Sequence, residues 1–113
     1  MAIKSTENTE HYIWGDSCDG WHLLKSDSLS IIQEKMPPQT SEGLHFHNTA
    51  QQFFFILKGT ATFQIEEEIF EVNENKGLHI LPHHKHRIFN HTELALEFLV
   101  ISEPKSHGDR VNF

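Results

Sequence analysis

Two histidines spaced two residues apart, in His45-Phe46-His47, are the side chains of this sequence best suited to hold an ion. In an extended strand alternate side chains share a face, so both imidazoles can reach one ion; on a helix they would diverge. Gln52 opens the next apolar run and can turn its amide oxygen to the same interior. Neutral imidazole suits Mn, Fe, Co, Ni or Zn, and a carbonyl-type oxygen excludes none of these. Taken alone, a His-x-His pair in a strand is more often two solvated or hydrogen-bonded side chains than a metal site. A second cluster adds to it. Pro82-His83-His84-Lys85-His86-Arg87-Ile88-Phe89-Asn90 reads as a turn followed by a strand, one face of which carries His86, Ile88 and Asn90.

Strands must position these side chains, and the sequence is patterned for strands nearly throughout. Residues 29–36 read as one, ended by Pro37-Pro38 because neither proline can donate to a ladder. Residues 44–48 and 51–57 are short β-like runs, the second apolar on both faces and therefore expected to be buried. Lys58-Gly59 is a turn. Residues 60–65 alternate strictly and 69–72 partly, with Glu66-Glu67-Glu68 as an exposed hairpin connection that contains no glycine. Residues 73–77 form another turn, and 78–81, 86–90 and 94–102 are further strands. Gly15, Asp16, Asp19 and Gly20 are expected to break the first stretch into turns, with Tyr12, Trp14 and Trp21 docking it on the wall. Residues 103–113 are polar and loosely patterned. Roughly eight or nine short strands without a helical stripe argue for an all-β barrel or sandwich.

At 113 residues the chain supports one continuous core, and a single domain over 1–113 is expected. A formal charge of -7, with Lys and Arg scattered, leaves no basic face and argues against nucleic acid as a main partner. Residues 1–10 lack the basic-then-apolar order of a signal peptide, and no apolar run approaches the length of a bilayer span. The expected location is cytoplasmic, with no membrane partner. Cys18 is alone, which agrees with a reducing compartment and rules out an internal disulfide or a cysteine-based metal cluster within one chain.

Taken together, the two histidine clusters resemble the paired motifs of the cupin superfamily. Gly43-Leu44-His45-Phe46-His47, then Gln52, then Gly59 follow the first motif; Pro82, His86 and Asn90 follow the end of the second. The resemblance implies an all-β double-stranded β-helix, or jelly-roll cupin barrel, usually dimeric. It implies one divalent transition metal (Mn, Fe, Ni or Zn) inside the barrel mouth, with ligand roles carried over to His45, His47, Gln52 and His86. Three positions depart from the family pattern. Gln52 stands where glutamate is common, so the ligands leave the ion's charge uncompensated and an anionic ligand should be favoured. His83 replaces the glycine usual in the second motif, and Asn75 stands where that motif would start with glycine, a change asparagine tolerates because it accepts φ > 0.

Other candidates follow from strand spacing alone. His79 lies on the strand leading to Pro82 and has two faces open to it, while Trp14 and Phe98 could line the pocket. Neither Glu34 nor Glu97 can be given a face from its neighbours, so no general base is identified. The expected function is a metal-dependent enzyme acting on a small anionic or oxygenated molecule, by dioxygen cleavage or by isomerase or lyase chemistry. The alternative is a non-catalytic module that binds a sugar or organic acid, since fold alone does not separate the two.

Overall fold

A computed structural model describes residues 2–113, and within them the chain forms twelve strands. They are β1 (Glu10–Trp14), β2 (Cys18–Lys25), β3 (Ser30–Met36), β4 (Thr40–Ser41), β5 (His45–His47), β6 (Gln51–Lys58), β7 (Ala61–Ile65), β8 (Glu68–Val72), β9 (Gly77–Ile80), β10 (His86–Asn90), β11 (Leu96–Glu103) and β12 (Arg110–Asn112). One sheet runs β1-β2-β3-β11-β6-β9, and the other β12-β5-β10-β7-β8 with β4 also beside β10. All pairings are antiparallel, which gives the all-β fold expected from the pattern, in the jelly-roll form that the cupin resemblance implies.

The core follows from the period-2 alternation of these strands. Phe54 and Ile56 of β6, Phe63 of β7, Ile88 of β10, and Leu96, Phe98 and Val100 of β11 all point inward and are buried. Phe54 packs edge-on to Phe63 at 5.1 Å between ring centroids and lies 5.8 Å from Phe98. Each large side chain so buried contributes about 1.5–3 kcal/mol. Asn90 explains its place in the second motif. Its Nδ2 donates to the carbonyls of Met36 (3.0 Å), Pro37 (3.2 Å) and Leu94 (2.8 Å), and its Oδ1 accepts from the Thr92 amide and hydroxyl, so one buried side chain fastens the end of β10 to the ends of two other segments.

Several elements differ from the sequence expectation. Asp19 and Gly20 lie within β2 rather than in a turn, because β1 and β2 form a hairpin that pairs Ile13 with Asp19 and Tyr12 with Gly20. Gly15 and Ser17 make the turn, both with positive φ. The run 51–57 is not buried on both faces: Phe53, on the outer face of its sheet, is 39% exposed. The tail contains β12, which pairs with β5 in the register Arg110 to His47 and Asn112 to His45. A strand added to a free edge needs backbone groups rather than apolar alternation, so its sequence carries little signal. Glu66, Asn75 and His83 all take positive φ, so three turns are made without glycine. Among the described residues no helix is long and apolar enough to cross a membrane.

Candidate metal centre

The three-residue strand β5 turns His45 and His47 inward and leaves Phe46 between them on the outer face, against His83 and Phe113. Strand β10 pairs His86 directly with His45. The three rings converge, with centroids separated by 4.3 Å (His45 to His86), 5.1 Å (His45 to His47) and 5.7 Å (His47 to His86). One ligand atom from each lies within 4.8 Å of the other two. Gln52 enters at the start of β6, opposite Ser102 of β11, and lines the same cavity as His45 and His47.

Hydrogen bonds fix the tautomers. His45 Nδ1 lies 2.9 Å from the Gly43 carbonyl and His86 Nδ1 2.8 Å from the His84 carbonyl. A carbonyl can only accept, so both Nδ1 atoms carry the proton and both Nε2 atoms present lone pairs. His86 Nε2 is buried with no partner. Gln52 is arranged in the same way: its Nε2 donates to Ser102 Oγ at 3.0 Å, while its Oε1 is buried and unpartnered. Burial holds the His45 imidazole down at about 3 and that of His86 at about 4, and lowers that of His47 as well. The three rings are therefore neutral at physiological pH. An unpaired buried polar atom costs about 1–3 kcal/mol, and this set could recover that cost by holding a divalent cation with three imidazole nitrogens and one amide oxygen. Gly43 and Ser102, as hydrogen-bond partners of His45 and Gln52, orient these two side chains.

The cavity in front of the histidines has a volume of about 340 Å³. Ile32, Phe54 and Val100 supply its apolar lining. Its polar wall was not foreseen. Tyr12, on β1, donates its hydroxyl to Glu34 Oε2 on β3 at 2.8 Å, and Glu42 lies 3.7 Å from the Arg110 guanidinium brought in by β12. Burial raises the Glu34 carboxyl to about 7; burial, with the charge of Glu34, raises that of Glu42 to about 8. Burial and the Glu34 carboxylate also push the Tyr12 phenol well above its ordinary value. His22 and His107 line the cavity too, and His22 Nδ1 is buried without a partner. These carboxyls change the charge argument made from Gln52, since the cavity holds two acidic groups that can offset a cation without being among the four candidate ligands.

The other candidates sort by face. Trp14 lines the cavity, whereas Phe98 is wholly in the core. His79 is exposed on the outer face and bonded to Gln51 Oε1 at 2.8 Å. Glu97 pairs with Lys58 at 3.8 Å, away from the cavity lining. Lys85 lies over the Phe113 ring, and Arg87 is held by Gln64 and lies over Phe89, so neither guards the cavity. Glu34 had one weak signal, its parity with Ile32 and Met36, which the apolar Ile31 obscures. Glu42 and Arg110 had none.

The family model described as Cupin domain matches residues 32–102. An uncharacterised protein of Methanocaldococcus jannaschii is 29% identical over 89 residues, covering 78% of this chain and 71% of that protein. Among solved structures, a predicted oxalate decarboxylase from Thermotoga maritima superposes with a TM-score of 0.83 at 19% identity, covering 91% of this chain and 99% of the other. The polyketide cyclase RemF from Streptomyces resistomycificus superposes with a TM-score of 0.81 at 16% identity, covering 93% of this chain and 80% of the other. Likeness at such identities concerns the fold.

Proposed function

The chain belongs to the cupin domain family, and from that premise we propose that it is a metal-dependent enzyme whose divalent transition metal is held by His45, His47, Gln52 and His86. The substrate is a small oxygenated molecule bound in the adjoining cavity. The observation that carries this reading is the convergence of three neutral imidazoles beside a cavity whose lining also carries Gln52, with its amide oxygen buried and unpartnered. A bound ion supplies Lewis acidity toward a substrate carbonyl, carboxylate or hydroxyl oxygen. The chain's own residues supply the rest: Ser102 aims Gln52, the Gly43 and His84 carbonyls aim two imidazoles, and the carboxyls of Glu34 and Glu42 are available to exchange protons near neutrality. Groups poised in this way favour isomerase or lyase chemistry over simple ligand binding.

The test is elemental analysis of untagged protein purified without chelator, beside His47→Ala and His86→Ala. One equivalent of Mn, Fe, Ni or Zn is expected in the parent and none in either variant, with the variants still folded by circular dichroism. A parent that takes up no metal even on reconstitution would leave a non-catalytic binding module.

The same reading includes a homodimer and a cytosolic location. The outer face of one sheet aligns Ile31, Ile101 and Phe53 in register across β3, β11 and β6, an apolar row that a second copy would cover. Sedimentation analysis is expected to give twice the monomer mass. Cys18, buried and free, fits a reducing compartment.

A further inference from the structure

One arrangement spans three strands. Tyr12 of β1 is the register partner of Gly20 of β2, which is in turn the register partner of Glu34 of β3. A tyrosine on one strand ordinarily cannot reach two strands over, because the intervening side chain stands in the way. Here that residue has no side chain. A Cβ built on Gly20 would lie 2.2 Å from Tyr12 Cζ and 2.6 Å from both Cε atoms, so the ring lies flat over the glycine and delivers its hydroxyl to Glu34 Oε2 at 2.8 Å. The same carboxyl lines the cavity that also holds His45, His47 and Gln52.

We infer that Glu34, held by Tyr12 across Gly20, is the acid–base residue of this cavity and enolises a small α-hydroxycarbonyl compound bound there. The inference rests on the enzyme reading above and names its substrate class. The Glu34 carboxylate takes a proton from the carbon beside the carbonyl. The C–H bond breaks, an O–H bond forms on Glu34, the freed electron pair becomes a carbon–carbon double bond, and the carbonyl π pair moves to oxygen. Protonated Glu34 returns the proton to either carbon of the enediolate. When the proton returns to the neighbouring carbon, the adjacent hydroxyl gives its proton to the other oxygen, and the carbonyl has moved by one position. The step needs no oxidant, reductant or second reactant.

The cavity suits a small ligand that carries no phosphate group. Its volume of about 340 Å³ is at the small end of ligand sites. Arg110 is its one Lys or Arg side chain and faces Glu42, so the lining offers no set of cations for a multiply charged phosphate. Tyr12 is a positioning residue, because its hydroxyl is spent on Glu34. The charged and titratable groups that share the cavity with Glu34 or feel its charge are Tyr12, Cys18 and His22 from β1 and β2, Glu42, His45 and His47 from β5, His107, and Arg110 from β12. The carboxyl raised to about 7 agrees with a group that can both accept and return a proton near neutrality.

Two measurements on the full chain test the inference. First, the metal-loaded protein is incubated in D2O with dihydroxyacetone or glyceraldehyde, and deuterium at carbon is read by mass spectrometry. The parent is expected to catalyse exchange, and Glu34→Gln to lose about 100-fold or more while keeping its metal. Exchange by Glu34→Gln within twofold of the parent, or none by the metal-loaded parent, overturns the inference. Second, the metal-free protein carrying 13C-carboxyl glutamate is titrated by NMR, with Glu34→Gln assigning the resonance. The Glu34 midpoint is expected well above the ordinary carboxylate range and higher still in Tyr12→Phe, which lacks the hydroxyl that favours the ionised form. An ordinary midpoint unmoved by Tyr12→Phe overturns the dyad. A protein that binds no metal sinks the enzyme reading and with it the acid–base role of Glu34, whereas failure of exchange in a metal-loaded parent sinks the inference alone; in either case the NMR titration decides whether Tyr12 and Glu34 act as a pair.

Discussion

Replacing Gly20 with alanine should break the Tyr12 to Glu34 contact without touching either residue. The new methyl group would start 2.2 Å from Tyr12 Cζ, and ordinary carbon–carbon contact is about 3.5–4.0 Å, so the ring must retreat by roughly 1.5 Å. That displacement carries a 2.8 Å hydrogen bond beyond bonding range. The ring is the movable partner, so the cost is its lost hydrogen bond and packing rather than backbone strain. A hydrogen bond to a charged group is worth about 1.5–3 kcal/mol; with some lost packing, Gly20→Ala should cost about 2–3 kcal/mol at pH 8, where Glu34, at about 7, is mostly ionised. In a Tyr12→Ala background the ring is absent, and the same substitution should be neutral or slightly stabilising, because alanine restricts the unfolded chain more than glycine does. Urea denaturation of the parent, both single variants and the double variant measures the coupling, expected at about 2 kcal/mol or more. If the two substitutions add to within about 0.5 kcal/mol, the ring does not rest on Gly20 and the reasoning is refuted.

Two further predictions follow from other groups. In the metal-free protein, the pH dependence of stability should reflect the buried histidines and two half-buried carboxyls, with opposite signs. His45 and His86, lowered from 6.5 to about 3 and about 4, bind protons more weakly when folded, so stability rises with pH up to about 6.5. Glu34 and Glu42, raised from 4.5 to about 7 and about 8, bind protons more tightly when folded, so their contribution is complete below pH 4.5 and is lost as pH rises through 7 and 8. His47, also lowered by burial, adds to the rise below 6.5. Stability should therefore climb steeply to about pH 4.5, rise only slowly to 6.5 and fall towards 8, and a double Gln variant of the glutamates should lose that fall; a monotonic rise through pH 8 would contradict the raised carboxyls. Asn90→Ala strands carbonyls of Met36 and Leu94 that now receive the amide, and should cost about 2–4 kcal/mol by thermal or urea unfolding; a cost under about 0.5 kcal/mol would mean the buried amide is not what fastens β10.

The strands and the histidine pair were legible in the sequence because both obey a local rule. The period-2 alternation that buries Phe54, Ile56, Phe98 and Val100 also puts His45 and His47 on one face, whatever the rest of the chain does. The glycine-free turns were legible in part: Asn75 was expected to accept positive φ and does, while the positive φ of His83 explains a glycine position that the substitution had obscured. Gln52 could be placed at a strand start, but not its rotation, which depends on Ser102, fifty residues further along the chain.

What only the tertiary structure decided is which strands lie side by side and in what register. Convergence of His86 with His45 is a cross-strand pairing, and so is the burial of Asn90 against Met36, Pro37 and Leu94. The polar wall of the cavity depends on the same kind of information. Glu34 faces inward because β3 is fixed between β2 and β11, and a slip of one residue would have turned it to the outside. Tyr12 reaches it only because Gly20 lies between them, and Arg110 faces Glu42 only because the tail adds itself to the edge of β5. Local spacing dictates which side chains share a face; hydrogen-bonded register between distant segments dictates which faces meet. Here that register joined a histidine cluster visible in the sequence to a wall of carboxyls, tyrosine and arginine that was not.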